Sequence, residues 1–145
     1  MKIRKSIIFF IMIGLSISCS KDDKINNSNP YLPNFPVDVT LNLNLPQYSQ
    51  LVFDTNVVYV NNGAAGIRGV FVFNAGGGNY KAFDAACPNQ VLSTCSTMTI
   101  NGIKAKCPCD DTEYSFFTGL APGKEYPMKQ YRVQQINSTT LRVYN

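Results

Sequence analysis

Four cysteines crowd into 23 residues of this chain, at Cys87, Cys95, Cys107 and Cys109, and a fifth, Cys19, stands apart near the N-terminus. An even number of cysteines in an exported domain reads first as a disulfide framework. Four allow three pairings. A bond between Cys107 and Cys109, one residue apart, would be strained. The two remaining pairings each join the first group to the second, so the chain has to fold back between them. A metal is the alternative occupant. The spacing is not the pair of Cys-x-x-Cys motifs of a zinc ribbon. The chain has no histidine, which removes most catalytic zinc, copper and non-haem iron sites and any Cys–His or Ser–His nucleophile.

The rest of the chain reads as strands and tight turns. Only 15% of the residues are charged, while Val, Thr, Tyr and Phe are frequent, a balance that favours β structure. Val37, Val39, Leu41, Leu43 and Leu45 alternate with polar residues up to Pro46, the period of a half-buried strand. Leu51 to Val60 is a second β candidate, followed by a loop through Gly66 and a third strand from Ile67 to Phe73. Ala75-Gly-Gly-Gly-Asn79 suits a hairpin connection, and Tyr80 to Ala86 leads into Cys87. Asn101-Gly102, between Thr97–Ile100 and Ile103–Lys106, is a strong hairpin signal and turns Cys107 back toward Cys87. Glu113–Phe117 and a last hairpin about Asn137-Ser138, between strands Lys129–Ile136 and Thr139–Tyr144, complete an all-β domain over residues 37–145. No helical periodicity of useful length, internal repeat or second domain is evident.

The N-terminus reads as a leader. Lys2, Arg4 and Lys5 precede an apolar run from Ile7 to Ile13 and the small residues before Cys19, the pattern of a secretory signal over residues 1–18. Leu15, Ser16 and Ser18 ahead of Cys19 resemble a lipobox, with Leu one position further from the cysteine than usual. Cys19 is therefore the expected lipidation site, with residues 19–36, rich in Asn, Ser and Pro, as a flexible tether. Ser20-Lys21-Asp22-Asp23 resembles the lipoprotein export signal of Bacteroidetes, which implies a lipid-anchored protein of the outer membrane exposed at the cell surface. Loss of residues 1–18 removes three basic and no acidic residues, leaving ten basic against nine acidic. No basic cluster interleaved with aromatics points to nucleic acid.

The order of a glycine hairpin, Tyr80-Lys-Ala-Phe-Asp84, Cys87-Pro88, a second hairpin, then Cys107-Pro-Cys109 and Ser115-Phe-Phe-Thr-Gly119 resembles the Rieske iron–sulfur domain. The resemblance covers residues 50–145 and implies a Rieske-like fold of small antiparallel sheets with two cysteine-bearing loops. Rieske domains bind a [2Fe–2S] centre through two cysteines on one iron and two histidines on the other. Carried over, Cys87 and Cys107 fall at the cysteine ligand positions, and Asn89 and Asp110 at the histidine positions. Cys95 and Cys109 fall near or at the positions of the disulfide that many members add, and Asp111 replaces a glycine. Asparagine is a poor iron ligand and aspartate a hard one that could ligate, so the second iron would have one weak and one hard ligand. The lack of both histidines implies a lost cluster. No twin-arginine pair precedes the apolar run, so export is expected to proceed unfolded, and a cluster assembled inside the cell could not travel with the chain. The resemblance thus implies disulfides Cys87–Cys107 and Cys95–Cys109 where the cluster would be. It implies no cofactor; the alternative is a [2Fe–2S] cluster with Cys87 and Cys107 as metal ligands.

Asp110, Asp111 and Glu113 form an acidic group that reads as solvated rather than as a hard-cation site. Tyr114, Phe116, Phe117, Tyr126 and Tyr131 read as core and cross-strand packing. The expected function is binding or structural, without catalysis, toward a protein or small-molecule partner. The rival is a single-electron carrier. A thiol–disulfide function finds no Cys-x-x-Cys at a helix N-terminus to support it.

Overall fold

Alternation of Val37, Val39 and Leu41 with Asp38, Thr40 and Asn42 makes β1 (Val37–Asn42), its apolar side chains buried and its polar ones exposed. In this computed structural model, which describes residues 25–145, β1 pairs with β10 (Thr140–Tyr144) on one side and with the short β3 (Ala64–Ala65) on the other. The expectations for residues 1–18, for Cys19 and for Ser20–Asp23 lie outside the described residues. Among those described, no helix is long and apolar enough to cross a membrane.

The sheet continues through β2 (Val57–Val60), β4 (Val70–Asn74), β5 (Tyr80–Asp84) and β9 (Gln130–Asn137), in the order β2-β4-β5-β9-β10-β1-β3. All its pairings are antiparallel. Its two edge strands are separated in sequence only by Asn61, Asn62 and Gly63, a span of at most about 14 Å of extended chain. The sheet must therefore curl until its edges nearly meet. Leu41, Leu51, Val60, Val72, Leu141 and Val143 are among the side chains packed inside the curl.

β4 is buried on both faces, and this divides the core. Val70 and Val72 face the interior of the curl, whereas Phe71 and Phe73 face the opposite way into a second core. The second core is covered by a three-stranded sheet of β6 (Thr99–Asn101), β7 (Lys104–Lys106) and β8 (Glu113–Ser115), turning about Gly102 as the Asn-Gly pair requires. Phe116 packs edge-on to Phe71 at 5.3 Å and stacks on Phe73 at 5.6 Å between ring centroids. The all-β architecture expected from the sequence, antiparallel sheets carrying two cysteine-bearing loops, is borne out.

Three local expectations differ from what is observed. The stretch Leu51–Val60 does not begin as a strand: Ser49–Val52 is a 3-10 turn and pairing starts at Val57. Side-chain amides hold that turn, Asn74 Nδ2 donating to Leu51 O at 2.9 Å and Asn56 Nδ2 to Gln50 O at 3.1 Å. β1 stops at Asn42 rather than at Leu45, because Asn42 Oδ1 accepts from Asn44 N and its carbonyl from Leu45 N, which turns the chain. Part of the segment read as a tether lies against the domain. Asn27 makes a two-way clasp with the backbone of Gln130, Asn29 Nδ2 donates to Pro88 O, and Leu32 is buried. Asparagine supplies both a donor and an acceptor, so a polar run can be ordered without an apolar stripe.

Candidate functional site

Beyond β5 the chain continues as a short ladder. Met98 N donates to Ala85 O at 2.7 Å, Ala86 bridges to Thr97, and Cys87 N donates to Ser96 O at 2.8 Å. This ladder closes the base of the first cysteine loop and fixes Cys87 at its root. The second loop is closed by Cys107 N donating to Thr112 O at 2.8 Å, just past β7. The two loops face each other across the second core. A disulfide joins Cys87 to Cys107, with Cα atoms 5.7 Å apart, and another joins Cys95 to Cys109 at 5.3 Å. Cys87 and Cys107 are each 1% exposed and belong to the core of Phe71, Tyr114 and Phe116. Cys95 is exposed and Cys109 half-buried.

Asn89 and Asp110 are occupied elsewhere. Asn89 Nδ2 donates to Tyr126 O at 2.7 Å and to Tyr114 Oη at 2.9 Å, while its Oδ1 accepts from Tyr126 N at 2.9 Å. The amide thus mimics a rung of β ladder against Tyr126 and has no spare donor. Asn89→Ala should lower the unfolding free energy by about 1–3 kcal/mol, since it strands the Tyr126 peptide groups and the Tyr114 hydroxyl. Urea titration measures this, and a loss within error of zero would show that Asn89 does not clamp the loop.

Asp110 pairs with Lys124 at 2.7 Å and accepts from Thr112 N at 3.1 Å. Partial burial works against its charge, but Lys124 and Thr112 outweigh it, and its carboxyl titrates below the usual value. Asp111, where the resemblance has glycine, takes a left-handed φ of 58°, a conformation aspartate tolerates better than most residues. The three acids do not converge on a common point. Asp110 pairs with Lys124, Asp111 with Lys106 and Glu113 with Lys104, at 2.7, 2.8 and 2.8 Å. Hydrogen bonds from Lys104 and Asn101 hold the Glu113 pKa down.

The most heavily bonded polar group near the loops closes the Tyr80–Asp84 run, and the sequence reading gave that acid no role of its own. Asp84, fully buried at the end of β5, accepts from Ile67 N and Tyr131 Oη at 2.7 Å, Ala86 N at 2.8 Å and Arg68 N at 3.3 Å. Burial raises its pKa against these four donors, and burial beside Asp84 also raises that of Tyr131. The signal in the sequence was a lone acid in the otherwise apolar run Ala82–Ala86. Gly66 completes the hub: a Cβ there would lie 2.4 Å from Asp84 Oδ2 and 2.7 Å from Tyr131 Oη, at a φ of +71°. Gly66→Ala should therefore cost about 2 kcal/mol or more through left-handed strain and displacement of the carboxylate. A thermal shift shows it, and an unchanged midpoint would mean the loop moves freely. Tyr114, Phe116 and Tyr131 are core residues as expected, while Tyr126 is half-buried with its ring edge-on to Tyr31.

No family model matches the chain, and no curated protein matches it. Solved structures do show likeness. A chain from the complex of reduced oxygenase and oxidized ferredoxin in carbazole 1,9a-dioxygenase is 16% identical, with 74% of this chain and 93% of that chain covered and a TM-score of 0.49. The ferredoxin of carbazole 1,9a-dioxygenase from Nocardioides aromaticivorans IC177 is 18% identical, covering 76% and 97% at a TM-score of 0.46. The Sphingomonas yanoikuyae B1 ferredoxin is 20% identical, covering 66% and 93% at 0.45.

Proposed function

We propose that this chain is an exported, lipid-anchored protein whose β domain is a Rieske-like scaffold closed by disulfides where that family holds a [2Fe–2S] cluster. The observation that carries the reading is the state of the two histidine positions. Asn89 spends its amide on Tyr126 and Tyr114, and Asp110 spends its carboxylate on Lys124 and Thr112. A cluster held by Cys87 and Cys107 would leave its second iron without a side-chain ligand unless those bonds broke. The donor set does not fit the group. The scaffold then serves binding or structure rather than electron transfer, with Cys19 as the lipid attachment and the outer-membrane surface as its place, as the leader implies.

Mass spectrometry of non-reduced peptides from exported protein tests the disulfides, with Cys87–Cys107 and Cys95–Cys109 expected as linked pairs. Free thiols at Cys87 and Cys107 would sink the reading. Iron analysis and visible absorption test the cluster: stoichiometric iron with a brown colour would establish the electron-carrier alternative instead. Metabolic labelling with a fatty-acid probe, lost in Cys19→Ala, tests the anchor.

A further inference from the structure

Three of the four loop sulfurs form one group. The Sγ atoms of Cys87, Cys107 and Cys109 all lie within 4.8 Å of one another, although Cys109 is bonded to Cys95 and to neither of the others. One disulfide therefore has a sulfur within reach of the other. The two differ in access. The Cys87 and Cys107 sulfurs are sealed in the second core, whereas Cys95 is exposed. A reductant in solution meets Cys95–Cys109 first.

The hydrogen bonds around the outer bond are arranged for a thiolate. Ser96 Oγ accepts from Ser93 N at 2.8 Å and from Gln90 Nε2 at 3.2 Å, which fills its acceptor sites. Its own proton is left for Ser93 Oγ, 3.2 Å away. The Ser93 hydroxyl proton is then free to point at sulfur, and its oxygen lies 3.2 Å from Cys95 Sγ and 3.8 Å from Cys109 Sγ. A disulfide sulfur carries no hydrogen, so Ser93 is the donor, its one proton lying between the nearer Cys95 Sγ and the more distant Cys109 Sγ. Arg68 Nη2 donates to Ser93 O at 3.1 Å, which adds positive charge to the same loop. Hydrogen bonding and nearby positive charge both favour the thiolate, the form that attacks and leaves in exchange.

We propose that Cys95–Cys109 is the redox-accessible bond of this domain, and that Cys109 relays a dithiol reductant to the sealed Cys87–Cys107 bond. The proposal rests on the reading of the loops as disulfide-closed. A thiolate of the external dithiol attacks Cys95 Sγ, forming a mixed disulfide and expelling Cys109 as a thiolate. The second thiol of the donor, on losing its proton, displaces Cys95, and the donor departs as a disulfide, having supplied two electrons. The Cys109 thiolate then attacks Cys87 Sγ. A Cys87–Cys109 bond forms, the Cys87–Cys107 bond breaks, and Cys107 leaves as a thiolate that takes up a proton, with no further change in electron count. Attack falls on Cys87 because the product with Cys107 would close a strained ring across Pro108 alone. The bond has now moved to Cys109, where a second dithiol can reach it.

The full chain tests this through Cys95→Ser, which frees Cys109 without any reductant, and through Cys95→Ser/Cys109→Ser, which removes the relay. In Cys95→Ser, acid-quenched alkylation and non-reduced peptide mapping should show Cys87–Cys109 with alkylated Cys107. In native buffer with dithiothreitol, Cys87–Cys107 should be reduced at least about tenfold faster in the unsubstituted protein than in the double variant. Only Cys87–Cys107 in Cys95→Ser, together with equal rates, overturns the relay. The single-variant map stands even if the double variant folds poorly. The map of the unsubstituted protein before reduction separates the two ideas. Linked pairs at the start with no Cys87–Cys109 later overturn the relay alone, while free thiols at the start overturn the disulfide reading and the relay with it.

Discussion

Replacing Cys87 and Cys107 together by alanine is expected to cost about 4–5 kcal/mol of unfolding free energy, against about 3 kcal/mol for Cys95→Ala/Cys109→Ala. The bonds span separations of 20 and 14 residues. Loop-closure entropy grows only with the logarithm of length, so the entropic parts are nearly equal, at about 3 kcal/mol each. The difference comes from packing. Cys87 and Cys107 lie within the second core, against the neighbourhood of Phe71, Tyr114 and Phe116. Removing two sulfurs there leaves a void, and the exposed Cys95 side leaves none. The two loops overlap over residues 95–107, so each bond shortens the loop the other has to close. Each single loss is taken with the other bond still in place, so losing both should cost more than the two single losses added together. Urea unfolding of the two double variants and of the four-alanine chain measures all three numbers. Losses below about 1 kcal/mol for both pairs would mean that the native protein does not contain these bonds.

The legible parts of this fold are those where a local rule acts alone. The alternation from Val37 to Asn42 places its residues inside and outside as written, because a strand has a period of two and one wet face. Asn101-Gly102 turns the chain where it should, because positive φ is cheap there. The two cysteine groups are brought together by that turn. Less legible are the places where side-chain amides bind distant backbone. Asn74 and Asn56 hold carbonyls of the 3-10 turn, and Asn27 and Asn29 hold a polar segment onto β9 and the first loop. Lys129 shows the same limit. It is buried, its Nζ donating to Asn34 Oδ1 at 2.6 Å, and burial lowers its pKa. Nothing in its surroundings Met128-Lys129-Gln130 marks that lysine as interior. The curl of the sheet depends on β3, two residues long inside a stretch read as loop, which no window of sequence could register.

Asp84→Ala is expected to cost about 3–5 kcal/mol, because one buried carboxylate satisfies four donors at once. The N–H groups of Ile67, Arg68 and Ala86 are backbone and cannot turn toward other acceptors, and the Tyr131 hydroxyl faces the same pocket. The damage should also spread toward the cysteines. Asp84 N donates to Lys129 O, Asp84 Oδ1 fixes Ala86 N, and Ala86 precedes Cys87 in the ladder that closes the first loop. Amide exchange should therefore quicken at Cys87 and Met98 more than in β1 and β10, which lie across the other core. The pH dependence gives a separate signature. Burial raises the folded pKa of Asp84 above its unfolded value, so its contribution is fully present below about pH 4 and is lost as pH rises through the folded pKa. Asp38, Asp110 and Glu113, whose folded pKa values are lowered, act in the opposite sense and lose stability as pH falls through them. Subtracting the variant's stability profile from that of the unsubstituted protein isolates Asp84, and the difference should shrink as pH rises above about 4. A flat difference would show that the four donors just offset burial, and one that grows with pH that they outweigh it and hold Asp84 as a stable anion.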